Sequence, residues 1–398
     1  MDCGFPASVS THPAGAGFAR KVRGEIIFCD ICRVAALTVV HLSSERSWRG
    51  GEQQMAYLIE NLIPSGVKVA VLARENSAFE KWCADRDIDL YTAGFRIGPD
   101  LSTALKLKRV VRDLGADLVH VHSGKSHTIA WLAASLGMRA PIVVHRRVDF
   151  PLSGSPVKLA KYNHPSVKKI ICVSDAIADL IRSKVARPER VARVYSGIDF
   201  TRFDGPNTGS DFRKENGIPE GALLVGNVSA LAPHKDYHTW IRTAKRVAEV
   251  RNDVYFVAVG EGGLTEEIKA AAAEAGIEKR VVFTGFRKDV PDLLPQFDLF
   301  LITSETEGLG TGIIDAMYCR LPVVATRAGG IPELVVPDKT GFLCEVGDDI
   351  CLAKRVVQLL EDRALRERFG REGRTRAERF SGRDMAAAVE KIYRELGD

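Results

Sequence analysis

The chain has 398 residues, 45% hydrophobic and 27% charged, and this composition excludes a disordered or fibrous protein. The net charge of +5 is too small to indicate a nucleic-acid-binding protein. The charge is unevenly distributed: residues 1–200 carry 28 basic and 19 acidic side chains (+9), and the remainder carries 28 and 32 (−4). We therefore expect the two parts of the chain to meet different partners.

Residues 1–33 are predicted to be a poorly structured extension, because basic side chains precede an apolar run without a clean signal-peptide cleavage site. Cys29 and Cys32 form one C-x2-C pair, and no second pair follows at zinc-site spacing. Most other cysteines lie in apolar runs, which favours buried free thiols and a reducing compartment. No apolar run reaches the ~20 residues of a membrane span.

Strands and helices alternate along the rest of the chain. In the first half, strands are predicted at 35–42, 67–73, 117–123, 140–146, 168–174 and 190–197, and helices after the first strand and at 102–114, 126–137 and 175–186. A stretch rich in Gly, Pro, Asn and Asp (199–221) is expected to be the linker. In the second half, strands are predicted at 222–231, 254–260, 280–286, 299–304 and 321–327, and helices at 236–250, 264–275, 312–319, 350–361, 364–378 and 383–396.

This alternation predicts an α/β protein with two Rossmann-like domains, each a doubly wound parallel sheet. We place the first domain at 34–205 and the second at 206–382. The last helix, about 383–398, is expected to pack back on the first domain. Because ligands of such sheets bind beyond the carboxyl ends of the strands, the site should lie in a cleft between the two domains.

A glycine-rich turn follows the predicted strand 299–304. It comprises Glu307, Gly308, Leu309, Gly310, Thr311 and Gly312. Such a turn offers backbone N–H groups at the positive end of a helix, which suits a phosphate. Glu307, and Asp315 eight residues later, can accept hydrogen bonds from sugar and ribose hydroxyls. A tight strand–helix turn capped by acidic residues is the alternative.

Two other turns also follow strands and precede helices. His234 and Lys235 come after the first strand of the second half, where Lys235 can supply a cation for a diphosphate or lie in solvent at a helix start. Gly50 and Gly51 follow Trp48 and Arg49 after the first strand of the chain. These glycines can bring backbone amides to an anion, or only form an ordinary strand–helix turn.

Histidines and arginines mark two further strand ends. His120 and His122 point to the same face of their strand, and His122 lies nearer its carboxyl end and therefore nearer the cleft. His145, Arg146 and Arg147 follow the next strand, where the arginines can hold an anionic group or lie in solvent. No nucleophile elbow, zinc-protease motif or Cys–His pair is present in the sequence, which disfavours a hydrolase.

Together these segments resemble the retaining glycosyltransferases of the GT-B fold, family 4, over about residues 35–396. The strongest resemblance is SETEGLGTGIIDAM with the following LPVVATRAGGIPELV (304–335), which is similar to the E-x7-E region of that family. Shorter matching segments are ERSWRGGEQQ (45–54), HVHSG (120–124), IICVSDAI (170–177), VYSGID (194–199), APHKD (232–236) and VGEGG (259–263).

The resemblance implies a nucleotide-diphosphate sugar donor held mainly by the second domain. It implies that Glu307 contacts the donor sugar and that His122 lies near the transferred sugar. Lys235 matches the diphosphate-binding lysine. The second acid of the motif is Asp315 instead of the usual Glu, and Ala230 stands where an arginine is usual, so His234 or another arginine would have to compensate.

The resemblance further implies that Gly50 and Gly51 approach the donor phosphate and that no metal or other cofactor is needed. Loss of the diphosphate would be stabilised by Lys235, the turn amides and the helix dipole, with attack from the same face of the sugar. Trp48, Arg49, His145, Arg146 and Arg147 are the acceptor-side candidates.

The expected acceptor is a glycan or a lipid-linked molecule of cell-envelope polysaccharide or lipopolysaccharide synthesis. An anionic membrane surface is a further expected partner because the first domain is basic, which would place the protein in the cytoplasm or on the inner face of the membrane. No nucleic-acid partner is expected, and the sequence carries no signal for an oligomeric state. Two alternatives remain: a nucleotide-sugar-binding protein with impaired transfer, and a GT-B sugar-nucleotide epimerase.

Overall fold

A computed structural model describes residues 37–98, 100–150, 152, 155–205 and 212–397. Among these residues, seven strands form a parallel sheet in the order β3-β2-β1-β4-β5-β6-β7. The strands are β1 Thr38–Ser43, β2 Lys68–Arg74, β3 Asp89–Ala93, β4 Leu118–Val121, β5 Ile142–Arg146, β6 Val167–Cys172 and β7 Val191–Arg193. The helices between them are α1 Gly50–Leu62, α2 Ala78–Ala84, α3 Leu101–Leu114, α4 Gly124–Ser135, α5 Pro156–Asn163 and α6 Asp175–Arg182.

A second parallel sheet follows, with the order β10-β9-β8-β11-β12-β13. Its strands are β8 Leu223–Val228, β9 Val254–Val259, β10 Val281–Gly285, β11 Leu299–Ile302, β12 Val323–Thr326 and β13 Gly341–Cys344. The helices of this half are α7 Phe212–Glu215, α8 Tyr237–Val250, α9 Thr265–Glu274, α10 Val290–Leu293, α11 Thr311–Tyr318, α12 Ile331–Leu334, α13 Asp349–Glu361, α14 Arg363–Ala377 and α15 Gly382–Gly397. The predicted fold class, two Rossmann-like parallel sheets, is confirmed.

Apolar residues cover both faces of each sheet, as parallel sheets flanked by helices require. Along β1, Val40 and Leu42 point into one hydrophobic cluster while Val39 points into another on the opposite face. The first of these clusters continues into the second half through Leu309 and Ile313. The two halves therefore share buried apolar surface near the glycine-rich turn.

The last helix returns to the first sheet. Helix α15 packs against α1, and its Val389 and Tyr393 are fully buried in the same cluster as Met55. The structure thereby brings a tyrosine from the end of the chain beside strand β4 near its start. The predicted extension 1–33, with Cys29 and Cys32, lies outside the described residues.

Two edge strands, β3 and β13, and five short helices, α2, α5, α7, α10 and α12, lie where the sequence predicted none. Strand β3 has the pattern DLYTA, which lacks a continuous apolar run because an edge strand is only half-buried. Strand β13 is only four residues long. Helices α2 and α5 are also short, and α2 begins at a capping box formed by Ser77 and Glu80.

The prediction of free thiols is wrong for two cysteines. Cys344, at the end of β13, and Cys351, in the first turn of α13, form a disulfide with a Cα–Cα distance of 5.9 Å. The turn between them brings the start of α13 back against the strand, a proximity that an apolar sequence context does not reveal. Cys83 and Cys172 are free and buried, as expected.

Candidate functional site

The glycine-rich turn lies between β11 and α11 and faces the first half of the chain. Gly310 has φ +91°, a backbone conformation that glycine adopts without strain. A Cβ atom at Gly308 would clash with the carbonyl oxygen of Arg147, so the close approach of the two halves requires glycine there. Leu309 is buried, whereas Thr311 and Gly312 open helix α11 and are partly exposed. The turn therefore lies at the junction between the two sheets.

Lys235 and Glu307, predicted to contact the donor, lie against each other. The Nζ atom of Lys235 donates to Oε2 of Glu307, and both side chains are mostly buried. The hydroxyl of Ser304 donates to the same carboxylate oxygen over 3.3 Å. The backbone N–H of Glu305 donates to the carbonyl of His234 over 2.9 Å and so fixes this turn against the glycine-rich one. Two segments 72 residues apart thus meet at one point.

The second acid of the motif has a partner that the sequence reading missed. Asp315, in α11, forms an ion pair with Arg202 from the short helical turn Phe200–Phe203. Burial raises the pKa of the Asp315 carboxyl, although the Arg202 charge opposes this shift. Arg202 also lies 4.7 Å from the Phe203 ring. No local pattern indicates this pair, because the two residues are far apart in the sequence. Arg202 precedes the second sheet, and Asp315 lies in α11, between β11 and β12.

Another contact between the halves involves Glu333, within the motif GGIPE. Its carboxylate accepts hydrogen bonds from the backbone N–H groups of Asp175 and Ala176 over 2.8 and 3.0 Å. These N–H groups open helix α6, where a negative charge is favoured by the helix dipole. The motif in the second half therefore also binds a helix of the first.

Four histidines of the first sheet lie close together. His41 on β1 pairs in register with His120 on β4, and His122 and His145 follow at the ends of β4 and β5. The rings of His120 and His122 are 4.1 Å apart, and those of His120 and His145 are stacked at 5.3 Å. Nδ1 of His120 is hydrogen-bonded to the hydroxyl of Tyr393 from α15. The sequence identified three of these histidines, but it did not show that the elements converge.

Burial keeps this histidine cluster uncharged. It lowers the pKa of His41 to about 3 and holds the pKa of His120, His122 and His145 well below the usual 6.5, with the charge of Arg147 acting in the same direction. Neutral imidazoles are also the form that binds a metal. The nitrogens of His41, His120 and His122 lie within 4.8 Å of one another and form a candidate metal-ligand group among the described residues. The expectation that no metal is needed stays a prediction.

Arg147 joins the histidine cluster to the glycine-rich turn. Its Nη2 donates to Nδ1 of His122 over 3.0 Å and to Nδ1 of His145 over 3.3 Å. Since a guanidinium only donates, Nδ1 of His122 must accept, and the proton of neutral His122 lies on Nε2. That Nε2 then donates to Nδ1 of His41 over 2.9 Å. Both nitrogens of the predicted catalytic histidine are thus engaged within the protein.

The remaining acceptor-side candidates have their own partners. The Trp48 ring stacks on Phe79 at 5.6 Å, and its Nε1 donates to Gln53. Arg49 donates to Ser47 over 3.2 Å. Arg146 donates to the hydroxyl of Tyr162 over 3.2 Å and to the carbonyl of Phe150, contacts that hold the loop after β5.

Gly50 and Gly51 open helix α1. A Cβ atom at either position would meet no heavy atom of the described protein within 4 Å. Protein packing therefore does not require glycine here. Space remains beside these backbone amides, as the predicted approach to a donor phosphate would need.

Both halves of the chain match known protein families. Residues 48–202 match the family model "Glycosyltransferase Family 4", and residues 210–376 match "Glycosyl transferases group 1". The N-acetyl-alpha-D-glucosaminyl L-malate synthase of Bacillus anthracis is 31% identical over 305 residues, which cover 75% of this chain and 79% of that protein. An Escherichia coli UDP-Gal:alpha-D-GlcNAc-diphosphoundecaprenol alpha-1,3-galactosyltransferase is 25% identical over 67% and 72% of the two chains.

Solved structures share the fold. A glycosyltransferase from Rickettsia africae superposes with a TM-score of 0.80 at 17% identity, covering 91% of this chain and 99% of that one. HepE of Anabaena, solved with UDP and glucose, gives a TM-score of 0.78 at 24% identity over 89% and 99% of the chains. The chain belongs to the GT-B glycosyltransferases of family 4, whose second half is the group 1 glycosyltransferase domain.

Proposed function

We propose that this glycosyltransferase moves a sugar, with retention of the anomeric configuration, from a nucleotide-diphosphate sugar to a glycan or lipid-linked acceptor of cell-envelope polysaccharide or lipopolysaccharide synthesis. The observation that carries the proposal is the contact of Lys235 with Glu307 beside the glycine-rich turn. It brings the expected cation for the diphosphate and the expected acid for the donor sugar to one point. HepE was solved with UDP, which supports a nucleotide donor of this kind.

In this proposal the donor diphosphate lies against Lys235 and the backbone amides of residues 308–312. As the bond between sugar and phosphate breaks, negative charge builds on the leaving diphosphate, and the Lys235 ammonium and the positive end of α11 stabilise it. Lys235 must turn from Glu307 toward the phosphate, which frees Glu307 to accept hydrogen bonds from the sugar. Asp315 binds ribose hydroxyls, and Gly50 and Gly51 approach the phosphate from the first half.

The acceptor hydroxyl attacks the same face of the sugar that the leaving group departs from. The leaving phosphate oxygen takes the proton of that hydroxyl, so no further base is required. His122 lies at the first-sheet side of the junction, where it can donate a hydrogen bond from Nε2 once its bond to His41 is exchanged. Contact between the two halves at Gly308 excludes water and limits hydrolysis of the donor. The proposal involves no metal.

The experiment is a donor screen followed by product analysis. A thermal-shift panel of UDP-, GDP-, ADP- and CMP-sugars should identify a ligand that adds about 2.7 kcal/mol to the unfolding free energy at 100 times its Kd. Proton NMR of the transfer product should then show the anomeric configuration of the donor. An inverted product would contradict retention, and the absence of any stabilising sugar nucleotide would contradict the proposed donor class.

One observation favours a second candidate, a nucleotide-sugar-binding protein with impaired transfer. Asp315 is shorter than the Glu expected at its position, and the structure pairs it with Arg202. A ribose must compete with this guanidinium for the carboxylate. Binding in the donor screen without any transfer or donor hydrolysis would support this candidate.

We also propose that the first half contacts an anionic membrane surface on the inner face of the cytoplasmic membrane. Around the start of α3, Ile97 is fully exposed and Leu101 and Leu105 are half-exposed. Lys106 and Arg109 are exposed on the same helix. Apolar side chains flanked by basic ones are typical of surfaces that bind acidic lipids. No helix in the described part of the chain is long and apolar enough to cross a membrane.

A further inference from the structure

Arg147 has an incompletely satisfied guanidinium group at the junction of the two halves. Its Nη2 donates to two histidine nitrogens, whereas Nε and Nη1 are buried and have no hydrogen-bond partner among the described residues. A buried charged donor without a partner is strongly unfavourable. Glu52, which is buried in α1, acts on Arg147 through its charge without an ion-pair contact.

The surroundings of this guanidinium select an anion over a metal. The histidines beside Arg147 are uncharged. Their Nδ1 atoms accept hydrogen bonds from Nη2 only, so Nε and Nη1 have no partner among the described residues. A metal bound to His122 would have to lie next to the positive charge of Arg147, which opposes it. An oxyanion would instead supply an acceptor oxygen that the guanidinium lacks, in a charge-assisted hydrogen bond to Nε or Nη1.

The location ties this charge to the proposed reaction. The carbonyl of Arg147 lies against Gly308 of the glycine-rich turn, and its side chain contacts His122. The lysine of the second half already has a carboxylate partner in Glu307. The backbone of Arg147 therefore lies against the glycine-rich turn, and its guanidinium lies beside the histidine that is expected near the transferred sugar.

We propose that Arg147 is an oxyanion-binding residue: its guanidinium binds a phosphate or carboxylate group of a substrate held between the two halves. This inference rests on the proposed function, because it places that group at the same junction. The oxyanion comes either from the diphosphate of the donor or from an acidic group of the acceptor.

The test compares the full-length protein with Arg147→Met, which keeps an unbranched side chain and removes the charge, and with Arg147→Lys, which keeps the charge. Arg190→Met is the matched control, because Arg190 donates to the Val167 carbonyl over 2.5 Å at the opposite, amino-terminal edge of the same sheet. Calorimetry measures UDP, GDP and ADP against their nucleosides. Inorganic phosphate and succinate are then titrated with and without saturating diphosphate, and circular dichroism checks folding.

If the anion belongs to the donor, Arg147→Met weakens diphosphate binding about 10- to 100-fold and leaves nucleoside binding unchanged. If it belongs to the acceptor, diphosphate binding stays the same and binding of phosphate or succinate falls by a similar factor. Arg147→Lys should retain part of the affinity, and Arg190→Met all of it. A folded Arg147→Met protein that binds every probe like the wild type overturns the proposal.

The proposed function fails in a different way. A wild-type protein that binds no nucleoside diphosphate contradicts the donor class and the donor role of Arg147 together. Phosphate and succinate then decide the acceptor role on the nucleotide-free protein. If wild type and Arg147→Met bind phosphate and succinate equally, or if neither protein binds them, the acceptor role of Arg147 is overturned.

Discussion

The two sheets present charged groups at their junction in opposite ways. On the side of the second sheet, Glu307 contacts Lys235 and Asp315 contacts Arg202, so each acid has a cation beside it. On the side of the first sheet, the only partners of the Arg147 guanidinium among the described residues are neutral histidine nitrogens. The charges of the first arrangement balance without a ligand. In the second, an anionic ligand can supply the hydrogen-bond acceptors that the Arg147 guanidinium lacks.

The largest expected effect concerns Glu307. If it contacts the donor sugar, Glu307→Ala should lower kcat/KM for transfer by at least about 100-fold, the scale of removing one transition-state contact. Glu305→Ala is the matched control, because Glu305 is an exposed acid of the same turn. Initial rates with the donor from the screen provide the measurement. Equal loss in both variants, or loss in neither, would contradict a specific role for Glu307.

The histidine cluster predicts that acid destabilises the first half of the protein. The folded protein holds the pKa values of His41, His120, His122 and His145 below the unfolded value, so their stability contribution is complete above about pH 6.5 and is lost as the pH falls below it. Each histidine should lower the unfolding free energy by up to about 1.4 kcal/mol per pH unit.

Urea unfolding between about pH 7.5 and 5 measures this dependence. His120→Asn should reduce the slope by about one proton. His238→Asn, which replaces an exposed histidine of the second half, is the comparison variant because it leaves the cluster intact. A free energy of unfolding that does not change across this range would show that the cluster is hydrated or already charged.

The pair of Arg202 and Asp315 tests the charge balance of the second half. Arg202→Met leaves the Asp315 carboxylate buried without its cation, and we expect a loss of about 2–3 kcal/mol near pH 8, since breaking a buried pair costs about 3–5 kcal/mol and Arg202 is partly exposed. Burial already raises the pKa of Asp315, so the loss should shrink as the pH falls and the carboxyl becomes protonated. The double variant Arg202→Met/Asp315→Asn should recover most of the stability in denaturant titrations.

The disulfide of the second half should make a smaller contribution. Closing the short loop from Cys344 to Cys351 corresponds to about 2 kcal/mol in the chain-entropy description. Dithiothreitol should therefore lower the melting temperature of the wild type. It should leave the melting temperature of Cys344→Ser/Cys351→Ser unchanged. Thiol titration of the unfolded protein with and without reductant should differ by two thiols for this bond. An unchanged thiol count would show that the two cysteines are reduced.

The smallest effect is expected at the membrane. Leu101→Gln/Leu105→Gln should weaken sedimentation with phosphatidylglycerol vesicles about five- to tenfold, because two half-exposed apolar side chains no longer enter the lipid. Val250→Gln is the control, since Val250 is 68% exposed in the second half. Binding should also weaken with added salt. Binding that does not respond to salt or to these leucines would place the membrane contact elsewhere.

Much of the fold could be predicted from local patterns. Buried parallel strands are short, continuous apolar runs, so β1, β4, β5 and β11 stand out, and the glycine-rich turn after β11 is visible for the same reason. The edge strand β3 was missed because its pattern DLYTA lacks a continuous apolar run, and β13 because only three apolar residues follow Gly341. The disulfide was missed because the apolar sequence around a cysteine does not indicate which other cysteine lies close to it in the fold.

The sequence by itself determined the two-sheet class and the residue types at the strand ends, because the backbone period and turn chemistry act over a few residues. Only the tertiary structure decided which of these side chains meet. It paired Lys235 with Glu307 and Asp315 with Arg202, and it brought Tyr393 to His120 across 273 positions. It also left two nitrogens of Arg147 without partners. Such contacts depend on how the helices and sheets pack, and local sequence patterns do not encode that geometry.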